Sequence, residues 1–212
     1  MDKIIEIKHV SKAFKGETVL QDVNLDLYDN NIYGIVGRNG SGKSVLFKLI
    51  CGYMHVDSGE IVVQKKIIGK DVDFPEKIGA LIENPGFLWH ETGLENLRYL
   101  AKINQKISTQ EVKEAMIKVG LSPDSKKRVG KYSLGMKQRL GIAQAIMENP
   151  DILILDEPMN SLDDSGIEEI RKLILEFRTP GRVVVIASHN KEDIESMCDE
   201  VFLIQKGRII RR

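Results

Sequence analysis

The chain has 212 residues, 42% of them hydrophobic, which suits one domain with a sizeable core. Its 31 Lys plus Arg balance 31 Asp plus Glu, so no net field steers it toward nucleic acid or an acidic membrane. No apolar run approaches the roughly 18 residues that span a bilayer, and the start Met1-Asp2-Lys3-Ile4-Ile5-Glu6 lacks a signal-peptide pattern, so a soluble, cytoplasmic chain is expected.

The first thirty residues alternate. Ile5 and Ile7 stand against Glu6 and Lys8, and Val23, Leu25 and Leu27 against Asp22, Asn24 and Asp26, which predicts half-exposed antiparallel strands. Ile32-Tyr33-Gly34-Ile35-Val36 is continuous instead, as are Ile152-Leu153-Ile154-Leu155 and Val183-Val184-Val185-Ile186-Ala187, the pattern of strands covered on both faces of a parallel sheet. Helices are predicted behind two capping boxes, Thr92-x-x-Glu95 and Ser108-x-x-Glu111, and from about Asp163 to Phe177. The helix-rich stretch 86–148 lies between two strand-rich stretches, 1–85 and 149–212, and reads as a subdomain inserted into a single domain. Val201–Ile204, Lys206-Gly207 and Arg208–Ile210 predict a closing hairpin. Cys51 and Cys198 have no metal-ligand spacing and are read as small packed residues.

Gly37-Arg38-Asn39-Gly40-Ser41-Gly42-Lys43-Ser44 follows a buried strand and precedes a segment of helix propensity that opens at Val45. That is the setting in which Gly-x-x-x-x-Gly-Lys-Ser cradles phosphates: glycines let backbone N–H groups turn inward, and the helix start adds partial positive charge. Gly37, Arg38, Asn39, Gly40, Ser41, Gly42, Lys43, Ser44 and Val45 are therefore candidate nucleotide contacts, with Lys43 on the β- and γ-phosphates and Ser44 on Mg²⁺. The strand Ile152–Leu155 ends in Asp156-Glu157-Pro158. Asp156 is the candidate metal acid, and Glu157 the candidate general base for an attacking water. Asn190-Lys191-Glu192-Asp193 matches a guanine-reading signature and Asp163-x-x-Gly166 a GTPase motif, but neither stands where a GTPase needs it, since the strand-end acid is Asp156.

Tyr132-Ser133-Leu134-Gly135-Met136-Lys137-Gln138-Arg139-Leu140, shortly before the acidic strand, resembles the Leu-Ser-Gly-Gly-Gln signature of ABC transporter ATPases. Ser133 reads independently as an N-cap, with Gly135 allowing close approach to an anion. The other elements of that family follow in order. The resemblance implies that Phe14 stacks on adenine, with core packing the alternative; that Asn160-Ser161-Leu162-Asp163 is the loop after the catalytic acid, with Asp163 among the nucleotide contacts; and that His189 is the switch histidine acting on the γ-phosphate. ATP is implied by the family, because stacking alone does not choose a base. The expected fold class is α/β, a P-loop NTPase core with a mainly parallel sheet, an N-terminal antiparallel β subdomain and an inserted α-helical subdomain.

Two departures are informative. Glu83, in Ile82-Glu83-Asn84-Pro85, stands where most of the family has a glutamine, and is expected to contact Mg²⁺ and to relay to a transmembrane partner. Leu134 and Met136 replace a glycine and the glutamine of the signature, while Ser133 and Gly135 remain, and Met136 is kept as a nucleotide contact. With Leu94-Glu95-Asn96-Leu97, these features resemble exporter ATPases for bacitracin and lantibiotics. The resemblance implies ATP and Mg²⁺ as cofactors, a second ATPase subunit, most simply a homodimer, and a separate permease at the inner face of the membrane. The alternative, an ATPase of the same superfamily acting on ribosomes or DNA, would need tandem domains or inserted coiled coils, and the interval from Ser44 to Ser133 shows no heptads.

Overall fold

The computed structural model describes residues 2–83 and 85–212; Met1 at the start of the chain and Asn84 beside Glu83 lie outside the described residues. In chain order the elements are β1 (Lys3–Phe14), β2 (Glu17–Tyr28), β3 (Asn31–Val36), α1 (Lys43–Ile50), β4 (Ser58–Val63), β5 (Lys66–Ile67), β6 (Ile78–Leu81), α2 (Gly93–Asn104), α3 (Thr109–Lys118), α4 (Leu134–Ile146), β7 (Ile152–Asp156), α5 (Asp164–Glu176), β8 (Val183–Ala187), α6 (Lys191–Met197), β9 (Glu200–Gln205) and β10 (Arg208–Arg211).

The alternating N-terminal residues form an antiparallel sheet in the order β2-β1-β4-β5. Ile5 pairs with Leu27 and Ile7 with Leu25, so the apolar members share one face and their charged neighbours the other. The continuous apolar runs form a second sheet, β10-β9-β3-β8-β7-β6, parallel throughout except for the closing β9–β10 hairpin.

Period two explains why those runs are apolar at every position. Ile152, Ile154, Val183 and Val185 point into one core with α1 and the antiparallel sheet. Leu153, Leu155, Val184 and Ile186 point into another with residues of α2 to α6. A polar residue on either face would be buried, so none is tolerated. The thiol of Cys51 is buried in the first core and pushed up to about 12; desolvation pushes Cys198 equally far, and both are inert packing residues.

Both capping boxes form: Thr92 with Glu95 opens α2 and Ser108 with Glu111 opens α3. The helix expected from Asp163 begins one residue later, with Asp163 as its cap. β6 was not legible, because Gly79 and Ala80 dilute its apolar pattern. It forms where α4 lies against the sheet edge, so closely that a Cβ on Gly79 would stand 1.9 Å from the Ala145 carbonyl oxygen. Among the described residues no helix is long and apolar enough to cross a membrane.

Register positions the site. Ile35 pairs with Ala187, and Ala187 with Asp156, so β3, β8 and β7 end in one row. Leu81 of β6 pairs with Leu155, one residue short of it. The loops after β3, β7, β8 and β6 therefore emerge at one edge, where open α/β sheets bind ligands.

Candidate nucleotide-binding and hydrolysis site

The loop between β3 and α1 turns through Gly40 (φ 76°) and Gly42 (φ 106°), conformations a side chain would resist. α1 has no side-chain cap and no acid in its first turn, so its leading N–H groups and positive dipole end face the cleft. Ser41 Oγ, inside the loop, is buried without a hydrogen-bond partner among the described residues. An oxyanion is the partner such a set of donors suits. Lys43 is nearly buried and its Nζ donates to the Gly37 carbonyl at 2.9 Å, which holds its charge over the loop.

Ser44, in the first turn of α1, donates to Asp156 Oδ2 at 2.6 Å. These two hard oxygen donors suit Mg²⁺, which takes one or two protein oxygens and completes its shell with phosphate and water. Among the described residues no group of three or more His, Cys, Asp or Glu gathers to form a protein-only metal cage. One residue on, Glu157 adopts a left-handed backbone (φ 53°). Its N–H is held by the Ala187 carbonyl at 2.8 Å. The carboxylate Oε2 lies 2.7 Å from His189 Nδ1 and 3.3 Å from the His189 backbone N–H. Facing a carboxylate, Nδ1 is the nitrogen that carries a proton.

A cleft of about 890 Å³ joins the phosphate loop to Asp156 and Glu157. Its lining includes Asn39 to Val45, Asp156 and Glu157, with Phe14 and Val19 on one wall and Glu83 on another. Phe14 is 40% exposed, which rules out the core-packing alternative, and Lys12 Nζ lies 5.5 Å from its ring centroid. Glu83 reaches the cleft, but its carboxylate is paired with Lys48 Nζ at 2.6 Å. Gly37, Arg38 and His189 are not in the lining of this cleft and border a separate recess beside α6.

The structure does not bring Ser133, Gly135, Met136 and Asp163 to the phosphate loop. They line a different cavity, of about 520 Å³, together with Ser161 and Leu162. Ser133 caps α4 as expected, its Oγ accepting from Met136 N at 3.2 Å. Gly135 is needed there, because a Cβ would meet the Ser161 carbonyl oxygen at 2.7 Å. Asp163 spends one carboxylate oxygen on the Gly166 N–H, 3.0 Å away, as the cap of α5.

Two residues near the cleft escaped the sequence reading. Lys48 lies one turn after Ser44 on α1, and helical spacing alone put it on the same face. Gln138 sits inside the signature stretch, and its Nε2 donates to the carbonyls of Glu157 and Pro158 at 2.9 and 3.1 Å, tying α4 to the catalytic loop. No local pattern marked it.

Comparison with known proteins agrees with this geometry. Residues 20–160 match the family model described as ABC transporter. The chain is 38% identical over 206 residues to the uncharacterized ABC transporter ATP-binding protein YybJ of Bacillus subtilis (strain 168), covering 97% of this chain and 94% of that protein. It is 37% identical over 212 residues to the bacitracin transport ATP-binding protein BcrA of Enterococcus faecalis, covering 99% of this chain and 69% of that one. Its fold matches that of a dimeric post-hydrolysis ATP-binding cassette, MJ0796, bound to ADP and phosphate, with a TM-score of 0.88 at 22% identity over 99% of this chain and 98% of the other. A family model spanning most of the chain and a relative matched over nearly its full length lead to one conclusion: the chain belongs to the ABC transporter family, among its ATP-binding proteins.

Proposed function

We propose that this chain hydrolyses MgATP as the energy-coupling subunit of a membrane exporter. The observation that carries the reading is the hydrogen-bonded pair of Glu157 and His189 at the strand edge that also presents the phosphate loop. The loop N–H groups and Lys43 bind the phosphates, and Phe14 offers a face to the base. Mg²⁺, held by Ser44 and Asp156 and approached by Glu83, would neutralise charge on the phosphate oxygens. Glu157 accepts a proton from the attacking water. His189 holds that carboxylate through Nδ1–H, and its Nε2 donates to a γ-phosphate oxygen when the ring carries both protons. Catalysis is positioning and charge stabilisation.

The chain is one ATPase domain, with residues 1–85 and 149–212 as catalytic core and 86–148 as helical subdomain. Ser133, Gly135, Met136 and Asp163 act on the nucleotide of a second subunit. Their location in a cavity apart from this chain's own phosphate loop supports that division of labour. Two copies head to tail would complete two sites. A separate permease anchors the pair at the inner face of the membrane. Large apolar side chains exposed just after Glu83, Leu88 and Trp89, and on α2, Tyr99 and Ile103, support contact with such a partner. A peptide antibiotic as cargo is supported by the similarity to BcrA. The same relatives are transporter subunits, which favours export over action on ribosomes or DNA.

The test is Glu157→Gln. We expect ATP hydrolysis to fall by about 10²–10⁴-fold, while MgATP still binds and shifts the protein to a dimer by light scattering, with the purified permease added if the isolated pair is weak. Unchanged hydrolysis in the folded variant would remove Glu157 from the reaction.

A further inference from the structure

Asn190-Lys191-Glu192-Asp193 does not read a base. Asn190 caps α6, its Oδ1 accepting from Glu192 N at 2.9 Å, and Asp193 is 1% exposed. Arg171 of α5 places both Nε (3.3 Å) and Nη2 (2.8 Å) on Asp193 Oδ1. Ser188 Oγ donates to Asp193 Oδ2 at 3.1 Å and accepts from Asn190 N at 3.1 Å. The residues on either side of His189 are thus held by one hydroxyl, and Asp193 orients it.

We propose that Asp193 and Arg171 are positioning residues for His189: they fix the Ser188–Asn190 turn so that the imidazole meets Glu157. The inference rests on the assignment of Glu157 and His189 to hydrolysis. The carboxylate accepts from Arg171 on one oxygen and from Ser188 on the other, and supplies the counter-charge that the guanidinium needs. An amide there would remove the counter-charge to Arg171 and reverse the bond to Ser188, turning the hydroxyl proton away from residue 193. Packing α6 on α5 would need no ions, because a buried ion pair contributes less than apolar side chains of the same volume; what it adds is a defined orientation. The chain closes the circuit. α5 begins just after the loop that carries Glu157, so Glu157 reaches α5 through the backbone and His189 reaches it through Ser188, Asp193 and Arg171. The separation of 2.7 Å between Glu157 and His189 is set from both ends.

The experiment uses the full chain with Asp193→Asn, Ser188→Ala and Arg171→Lys. His189 is one of four histidines, so its ring resonance can be assigned by comparison with His189→Ala and followed through a pH titration without nucleotide. In Asp193→Asn we expect kcat for ATP to fall by about tenfold with KM changed less than about twofold, and the His189 resonance and its titration to move. Ser188→Ala should shift the same resonance in the same direction, and Arg171→Lys, which keeps the counter-charge, should retain most of the wild-type signal and rate. A folded Asp193→Asn or Ser188→Ala protein with wild-type His189 titration and kcat overturns the proposal. If Asp193→Asn does not fold, Ser188→Ala decides it. If the wild-type chain does not hydrolyse ATP, the hydrolytic reading fails, whereas the resonance still reports whether Asp193 positions His189.

Discussion

Ser44 Oγ donates to Asp156 Oδ2 across 2.6 Å, although 112 positions separate the two residues. The bond joins the first turn of α1 to the last residue of β7 and marks where Mg²⁺ would enter. In Asp156→Asn the site keeps its shape and loses its charge. MgATP affinity should weaken by roughly 10–100-fold, while metal-free ATP affinity, measured in EDTA with a fluorescent nucleotide, should hold or rise as repulsion of the triphosphate is relieved. Equal weakening with and without Mg²⁺ would show that Asp156 acts on the fold and not on the metal.

Phe14 presents 40% of its surface on the wall of the cleft, with Lys12 Nζ 5.5 Å from the ring centroid. Truncation to Ala removes a stacking face worth about 1–3 kcal/mol. KM for ATP should rise about 5- to 150-fold, ADP affinity should fall by the same factor, and kcat should be unaffected. A change in kcat at unchanged KM would place Phe14 outside the base site.

The Lys48–Glu83 pair is open to solvent, with Glu83 60% exposed, so its contribution to stability is about 1 kcal/mol or less. Lys48→Met and Glu83→Ala should therefore melt close to wild type. Their Mg²⁺ dependence should diverge. Lys48→Met releases the Glu83 carboxylate and should lower the Mg²⁺ concentration for half-maximal ATPase, whereas Glu83→Ala should raise it. If both titrations match wild type and transport is unchanged, Glu83 has no metal or relay role.

Gly79 allows α4 to lie on β6. Gly79→Ala would drive a Cβ to 1.9 Å from the Ala145 carbonyl oxygen, and relief requires moving the helix backbone. Overpacking of this kind costs about 1–3 kcal/mol, a fall in Tm of about 2–4 °C per kcal/mol at this chain length, measurable by calorimetry. A variant that melts with wild type would mean that α4 docks with room to spare.

Much of the molecule was legible because its signals are local. The phosphate loop, both capping boxes, the three buried strands, the hairpin through Lys206-Gly207 and the acid pair at 156–157 are contiguous, and each carries its own backbone requirement. β6 and β4 were missed for the converse reason, since neither has a strong pattern of its own and each is held by the strand or helix it lies against.

The sequence by itself determined the donors and acids available and the loop or strand end on which each would ride, because those depend on near neighbours along the chain. Their pairing is a tertiary fact. The shared row of Ile35, Ala187 and Asp156 brings Ser44 to Asp156 and His189 to Glu157. The same packing sets Glu83 against Lys48, Asp193 under Ser188, and turns Leu134, Lys137 and Gln138 of α4 toward the cleft while Ser133, Gly135 and Met136 line the neighbouring cavity. Sheet register and helix docking decide such distances, and both are set by apolar contacts between segments distant in sequence, β3 and β8 being about 150 residues apart.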